Sequence, residues 1–239
     1  HSNVFALEAA LKKIDELRPD KIICLGDIVG NGFYPEETVS LLRARKDVAC
    51  VKGNHDIFVT MDLKNFSRSD TRLKNFRWQQ KGLSAASRNF LKELPMTLRF
   101  SDGAFSVVAF HYPMTPKGRF KDMKYLPSND DLRRLFGDQQ ADIRSRAHKL
   151  VVGFSKDAIN WELENKYIFN GYDPRLCELD GKYYLNFGTL GNFFEKDKAR
   201  FGLLEINGDK VAYKLINAEY DDSTARISTE KLNKILNDN

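Results

Sequence analysis

Gly53-Asn54-His55-Asp56 is the stretch that decides the fold, because it follows an apolar run at residues 48–51. An earlier pair, Gly26-Asp27, closes a second apolar run at residues 22–25. If both runs are strands, their ends deliver an Asp, an Asn and a His to one edge of a sheet. Oxygen donors combined with imidazole suit a divalent transition metal that acts on a phosphate. The pattern therefore indicates phosphoester chemistry.

Composition sets broad limits on the class of protein. A chain of 239 residues can bury a full core, and we expect one domain over residues 1–239. The formal charge of +5 favours anionic ligands, but the basic residues are scattered among almost as many acidic ones. The cysteines lie far apart at Cys24, Cys50 and Cys177, which predicts buried thiols and a reducing cytoplasm. No stretch approaches the ~20 apolar residues of a membrane span, so no membrane partner is expected.

Helical and strand patterns alternate along the first part of the chain, which is typical of α/β proteins. We predict a helix at residues 4–17, a strand at 21–25, a helix at 36–45, a strand at 48–51 and a helix at 83–94. Residues 62–82 are mostly polar and irregular in pattern, and we interpret them as a candidate lid.

Short β-rich runs dominate after Pro95. We predict strands at residues 96–100, 105–110, 150–153 and 166–170, strand pairs at 176–179 with 183–186 and 201–206 with 211–216, and helices at 127–150 and 228–236. His111 directly follows one of these strands and is a third candidate ligand.

The chain has four histidines, and three of them, His1, His55 and His111, lie beside polar motif residues or at a strand end. A single His of this kind is more often structural than a metal ligand, but the joint placement of three favours function. His148 lies in a charged helical pattern and is interpreted as a surface or partly buried residue. The phosphate-binding loop Gly-Lys-Ser/Thr and the dinucleotide motif GxGxxG do not occur, which argues against nucleotide binding by those routes.

Three motifs resemble those of a known family. His1-Ser2-Asn3 looks like the end of an Asp-x-His-Ser/Gly-Asn motif, residues 24–30 look like the second motif, and Gly53-Asn54-His55-Asp56 matches the third without change. The chain thus resembles the calcineurin-like metallophosphoesterases, most closely the small prokaryotic branch described as phosphodiesterases or as diadenosine-tetraphosphatase-like. The resemblance covers most of the chain.

The resemblance implies an α/β fold, a four-layer α-β-β-α sandwich of two mixed sheets. It implies two divalent transition metals, manganese, iron or nickel, with Asp27 bridging them, His1 near the first, and Asn54 and His111 on the second. A metal-bridged hydroxide would attack phosphorus, and His55 would be the catalytic residue that protonates the leaving oxygen.

Two departures from the family pattern matter. The family's first ligand is an Asp two residues before the His, and the sequence begins at that His, so we expect a truncation that removes this Asp and the first strand. The family's Gly-His-Thr-His motif reads Gly171-Tyr172-Asp173-Pro174 here, and an alternative alignment at residues 153–156 also lacks both histidines. Tyr172 and Asp173 are candidate replacement ligands. Without such a replacement the site would hold one metal or none.

Two functions are left open. We favour a metal-dependent phosphoric ester hydrolase that acts on a phosphomono- or phosphodiester, with a nucleotide among the candidate substrates. The alternative is a catalytically impaired relative that binds a nucleotide or a protein partner. A nuclease would need a basic, aromatic groove. The residues that could line such a groove lie in the candidate lid, and a solvated lid explains them more simply. These candidates are Lys64, Arg68, Arg72, Lys74, Arg77 and Trp78. No oligomeric state is predicted.

Overall fold

The structure is a computed structural model that describes part of the chain. The described residues are 1–64, 71–102, 105–111, 149–154, 176–179, 182–186, 189–191 and 197–238. The chain divides into two units. The first contains His1–Met96, Leu190–Arg200 and Asn217–Asn239, and the second contains Thr97–Thr189 and Phe201–Ile216. The single domain over residues 1–239 stays a prediction.

The first unit combines helices with a short parallel sheet. Its helices are α1 (Val4–Leu17), α2 (Pro35–Ala44), α3 (Asn54–Thr60), α4 (Thr71–Gly82), α5 (Ala85–Glu93) and α6 (Ser223–Asp238). Strand β1 (Ile22–Cys24) pairs in parallel with β2 (Val48–Cys50), and Cys24 lies opposite Cys50. The order β1, α2, β2 therefore confirms the predicted β-α-β pattern.

Local signals explain where these helices begin. The Asn3 side chain accepts a hydrogen bond from the Ala6 N–H (3.1 Å), which caps the start of α1. Pro35 is the first residue of α2, a position that its fixed φ favours. The Ser84 hydroxyl caps α5 by accepting from the Ser87 N–H (3.1 Å).

Helix α4 differs from the prediction, because residues 71–82 are helical rather than irregular. Leu73, Phe76 and Gln79 are buried, with 7%, 2% and 0% of their surface exposed. Their spacing of three residues places them along one side of the helix. Only two of these three buried residues, Leu73 and Phe76, are apolar. The helical periodicity is therefore too weak to recognise among the surrounding polar residues. A lid role for residues 62–82 stays a prediction.

One hydrophobic cluster forms the core of the first unit. It joins α1, α2, α3, α4 and α5 to the segment that follows β1. Its buried members include Leu7, Leu11, Ile28, Val29, Val39, Leu42, Val59, Phe76 and Leu91. Several elements that carry motif residues are thereby anchored in the same core.

The second unit contains a mixed five-stranded sheet. Its strands are β3 (Thr97–Asp102), β4 (Phe105–Phe110), β5 (Lys149–Phe154), β6 (Leu176–Leu179) and β7 (Lys182–Asn186), in the order β3-β4-β5-β7-β6. The neighbours β4, β5 and β7 run parallel, and β3 and β6 pair antiparallel at the edges. Phe105, Val107 and Leu185 are its buried core residues.

The last two strands, β8 (Lys198–Asn207) and β9 (Lys210–Glu219), form a separate two-stranded sheet and contribute residues to both units. Both strands are longer than predicted. The helix predicted at residues 127–150 falls almost entirely outside the described residues, and the strand predicted at 166–170 lies fully outside them. The four-layer arrangement of the sheets stays a prediction. Among the described residues, the helices are too short or too polar to cross a membrane.

Candidate metal centre

The parallel pairing of β1 and β2 brings two motif loops to one edge of the sheet. The Val51 N–H donates to the Cys24 carbonyl (2.9 Å), which extends the pairing beyond both strands. Because parallel strands end on the same side, Asp27 and the Gly53-Asn54-His55-Asp56 loop emerge next to each other. The chain segment at His1 joins them, since its backbone nitrogen donates to the Asp27 carbonyl (2.6 Å).

His1, Asp27 and His55 form a compact cluster, with one ligand atom of each within 4.8 Å of the other two. Asp27 Oδ2 lies 3.2 Å from His1 Nε2 and 3.9 Å from His55 Nε2. The two imidazole rings meet edge to face, with centroids 4.8 Å apart. The side chains of His1, Asp27 and His55 are 8%, 3% and 15% exposed. A buried carboxylate thus faces two imidazoles.

Asp27 adopts an uncommon backbone conformation, with φ at 54°. Left-handed residues cost about 1–2 kcal/mol, although Asp tolerates this region better than most side chains. The His55 N–H donates to Asp27 Oδ1 (2.9 Å). One carboxylate oxygen is therefore held by the backbone of the next motif, while the other faces the imidazoles.

Two glycines allow the motif loops to approach this closely. A Cβ at Gly53 would overlap the Asp27 carboxylate, and a Cβ at Gly30 would overlap the His55 imidazole. Gly30 also has φ at 140°, a conformation that favours glycine. A side chain at either position would displace a member of the cluster.

Asp56 joins the two loops through its buried carboxylate. Asp56 Oδ2 accepts from the Gly53 N–H (2.9 Å) and Asp56 Oδ1 accepts from the Val29 N–H (3.1 Å). The side chain is fully buried, so it depends on these partners. Sequence reasoning assigned it no role. Its position as the third residue of α3, where a carboxylate often accepts from the helix start, was the available signal.

The Cys50 thiol, on β2, is not suited to metal binding. Cys50 is buried, and both its contact with Cys24 and its burial raise the pKa of the Cys50 thiol far above the ordinary value. A thiol must lose its proton to bind a metal, so Cys50 stays an uncharged core residue. The prediction of a buried thiol is thus confirmed for Cys50, whereas Cys24 is only partly buried.

The structure describes five of the seven residues that the sequence predicts for the site. The structure brings His1, Asp27 and His55 together. Asn54 is the first residue of α3, directly before His55. His111 follows β4 in the second unit, where it is 1% exposed.

The structure does not describe the segment that stands in place of the family's Gly-His-Thr-His motif. Tyr172 and Asp173, the candidate replacement ligands, are outside the described residues, as is the whole of residues 171–174. The roles of all these residues as metal ligands or catalyst stay predictions.

The donor set of the cluster fits a metal. Imidazole and carboxylate together are typical ligands of manganese, iron, nickel and zinc, whereas calcium and magnesium prefer oxygen alone. The chain therefore has a candidate site for a divalent transition metal that includes His1 and Asp27, with His55 in the same cluster.

Comparison with known proteins agrees with this chemistry. Residues 1–152 match the family of calcineurin-like phosphoesterases. An uncharacterized protein of Methanocaldococcus jannaschii is 29% identical over 230 residues, which is 92% of this chain and 85% of that protein.

Two solved structures have a similar fold. A metallophosphoesterase from Sphaerobacter thermophilus is 24% identical, with a TM-score of 0.62 over 97% of this chain and 90% of that one. A hypothetical protein from Pyrococcus horikoshii OT3 is 22% identical, with a TM-score of 0.68 over 98% of this chain and 92% of that one. The family match covers well over half of the sequence. The chain therefore belongs to the calcineurin-like phosphoesterases, which are in general metal-dependent phosphoesterases.

Proposed function

We propose that this protein hydrolyses a phosphomono- or phosphodiester with the help of divalent transition metals. The observation that carries the proposal is the cluster in which the Asp27 carboxylate faces His1 and His55 in a largely buried position. Membership of the family supplies the reaction class, and the cluster supplies side chains suited to it.

The residues of the first unit that would hold the metals are His1, Asp27 and Asn54. Manganese, iron and nickel suit these ligands best. When bound, such metals supply Lewis acidity toward phosphoryl oxygens. Asp27 suits a bridging position because its Oδ2 faces both His1 Nε2 and His55 Nε2.

His55 is the best candidate for the proton donor. Its side chain is the most exposed of the three, at 15% against 8% for His1 and 3% for Asp27. His55 Nε2 lies 3.9 Å from Asp27 Oδ2. The His55 backbone is fixed by the hydrogen bond to Asp27 Oδ1. In this position His55 would give a proton to a leaving oxygen.

A second candidate function is a binding module that has lost catalysis. The sequence at Gly171-Tyr172-Asp173-Pro174 favours it, because the family motif has two histidines there. Such a protein would bind a nucleotide or a protein partner through the motif residues that it keeps, and it would not hydrolyse a phosphoester.

Hydrolysis assays on the full-length protein separate the two functions. We expect release of nitrophenol from bis-p-nitrophenyl phosphate or p-nitrophenyl phosphate in the presence of manganese or nickel, and none after treatment with a chelator. Asp27→Asn and His55→Gln should abolish turnover, whereas Asp221→Asn, on the surface of the first unit, should not change it. The absence of both metal binding and turnover in the wild-type protein would overturn the enzyme proposal.

A substrate panel then narrows the class of ester. Nucleoside monophosphates, cyclic nucleotides and dinucleoside polyphosphates would be compared with the two nitrophenyl esters under the same metal conditions. Turnover that requires the nucleoside would identify a nucleotide hydrolase, and equal rates with all esters would indicate a generic phosphoesterase. Nucleotide binding without turnover would support the binding module.

A further inference from the structure

Gln79, on α4, is a fully buried polar residue whose side-chain hydrogen bonds to described residues go to the two segments beside the His1, Asp27 and His55 cluster. Its Oε1 accepts from the Ser2 hydroxyl (2.8 Å). Its Nε2 donates to the Gly32 carbonyl (2.7 Å) and to the Gly30 carbonyl. The acceptor and both hydrogens of this amide are therefore used, as a buried amide requires.

These contacts join the segment that carries His1 to the loop that follows Asp27. The Gly30 N–H donates to the Ser2 hydroxyl (3.1 Å), and the Gly32 N–H donates to the His1 carbonyl (2.8 Å). Ser2 has φ at 58°, a strained conformation that persists only where the surroundings enforce it. Gln79 is one of the groups that hold Ser2 in this position.

Gly30 is the point at which this network reaches the two histidines. A Cβ at Gly30 would overlap His55 Nδ1 and would lie 3.2 Å from His1 Cδ2. The Gly30 backbone therefore packs against both imidazole rings. Phe76, one turn before Gln79 on α4, also meets the His55 ring edge to face, with centroids 5.1 Å apart.

We propose that Gln79 is a positioning residue, which sets the separation of the His1 and His55 imidazoles around Asp27 through Ser2 and Gly30. The proposal rests on the proposed function, because the separation matters for a site that holds metal. An apolar side chain of similar length would fill the same volume in the core. It would leave the Ser2 hydroxyl and the two glycine carbonyls without the amide, so the two loops would shift relative to each other.

The experiment compares Gln79→Met with Gln80→Met in the full-length protein. Gln80 is the matched control, since it lies on the same helix and its Nε2 donates to the Met61 carbonyl (2.7 Å), outside the cluster. The first measurement is the nuclear Overhauser effect between the His1 and His55 ring protons in metal-free protein. The second is the affinity for Mn²⁺ by calorimetry, with the visible spectrum of bound Co²⁺ as a report on ligand geometry.

We expect Gln79→Met to weaken the contact between the two rings, to lower Mn²⁺ affinity by about 10- to 100-fold and to change the Co²⁺ spectrum. The kcat should fall with little change in KM. Gln80→Met should leave all of these unchanged. A folded Gln79→Met protein with the wild-type ring contact, affinity and spectrum would overturn the proposal, even if its Tm were lower.

Two further measurements keep the test decisive. If Gln79→Met does not fold, Ser2→Ala removes the same link from the other side and should give the same loss of ring contact. If the wild-type protein binds no metal, the proposed function fails, whereas the ring contact in metal-free protein still tests the role of Gln79.

Discussion

The described residues of the first unit contain two clusters of closely spaced ligand atoms, and only one of them resembles a working site. In each, three ligand atoms lie within 4.8 Å of one another, at His1, Asp27 and His55 in one cluster and at three aspartates in the other. The aspartates are Asp197, Asp221 and Asp222. Each cluster also contains an Asp in the left-handed region, with φ at 54° for Asp27 and 60° for Asp197.

The two clusters differ in what their carboxylates already bind. Asp222 pairs with Arg226 (Oδ1 to Nε, 2.8 Å), Asp221 accepts from the Ser223 N–H (2.9 Å), and Asp197 accepts from the Asp222 N–H (3.2 Å). These contacts build the turn at the start of α6. Asp27 instead has Oδ2 facing two imidazoles. Proximity and backbone strain therefore do not mark a site, whereas a buried carboxylate that faces imidazole donors does.

Neutralising one carboxylate in each cluster is the most direct test of whether the two clusters differ in metal binding. Asp27→Asn keeps the size of the side chain and tolerates the positive φ, but it lowers the charge that a metal requires. We expect Mn²⁺ affinity, measured by calorimetry, to fall by at least about 100-fold. Asp221→Asn should leave it unchanged. Equal losses in the two variants would contradict the distinction between the clusters.

Adding a methyl group to a glycine tests how tightly the first cluster is built. We expect Gly30→Ala to destabilise the protein by roughly 2–5 kcal/mol, because backbone strain adds to the overlap with His55. Gly208→Ala is the control, since its φ of 60° is also left-handed but a Cβ there would meet nothing within 4 Å. It should cost about 1–2 kcal/mol.

Urea denaturation provides both free energies of unfolding. A Gly30→Ala protein no less stable than Gly208→Ala would show that the loop can yield, and that the His55 position is less fixed than the structure indicates.

Much of the first cluster could be predicted from the sequence, because its signals are local. Apolar runs followed by Gly26-Asp27 and by Gly53-Asn54-His55-Asp56 identify two strand ends, and parallel pairing then brings them together. The β-α-β order and the resemblance of the motifs to a family agree with each other. Pattern and chemistry were sufficient here.

The residues that hold the cluster in place could not be predicted in this way. Gln79 contacts Ser2, which is 77 residues earlier in the chain, and it lies in a segment whose polar composition suggested a lid. Nothing in a one-dimensional pattern identifies which glycine will pack against which imidazole. The three aspartates of the second cluster are similarly separated, since Asp197 and Asp222 are 25 residues apart. Such contacts depend on packing between elements.

Removing Arg226 tests whether the carboxylates of the second cluster stabilise the fold. Asp222 is 1% exposed and Arg226 is 37% exposed, so Arg226→Met leaves a buried carboxylate without its cation. We expect a loss of about 1–3 kcal/mol in the free energy of unfolding. Lys214→Met, which removes an exposed partner of Glu205, should cost at most about 1 kcal/mol. If both variants were equally stable, the buried pair of Asp222 and Arg226 would contribute no more than an exposed ion pair.

The smallest effect is expected at Asp221, at the exposed end of the second cluster. Hydrogen bonds from the Ser223 side chain and backbone lower the pKa of the Asp221 carboxyl. A lowered pKa in the folded state stabilises the protein above the ordinary Asp value of about 3.9, and this stability is lost as pH falls through the lowered pKa. Asp221→Ala should therefore reduce Tm slightly at pH 7, and the difference should narrow at lower pH. Asp221→Asn keeps an acceptor but cannot titrate at this position. A Tm difference between wild type and Asp221→Ala that did not change with pH would mean that the charge of Asp221 contributes nothing to the start of α6.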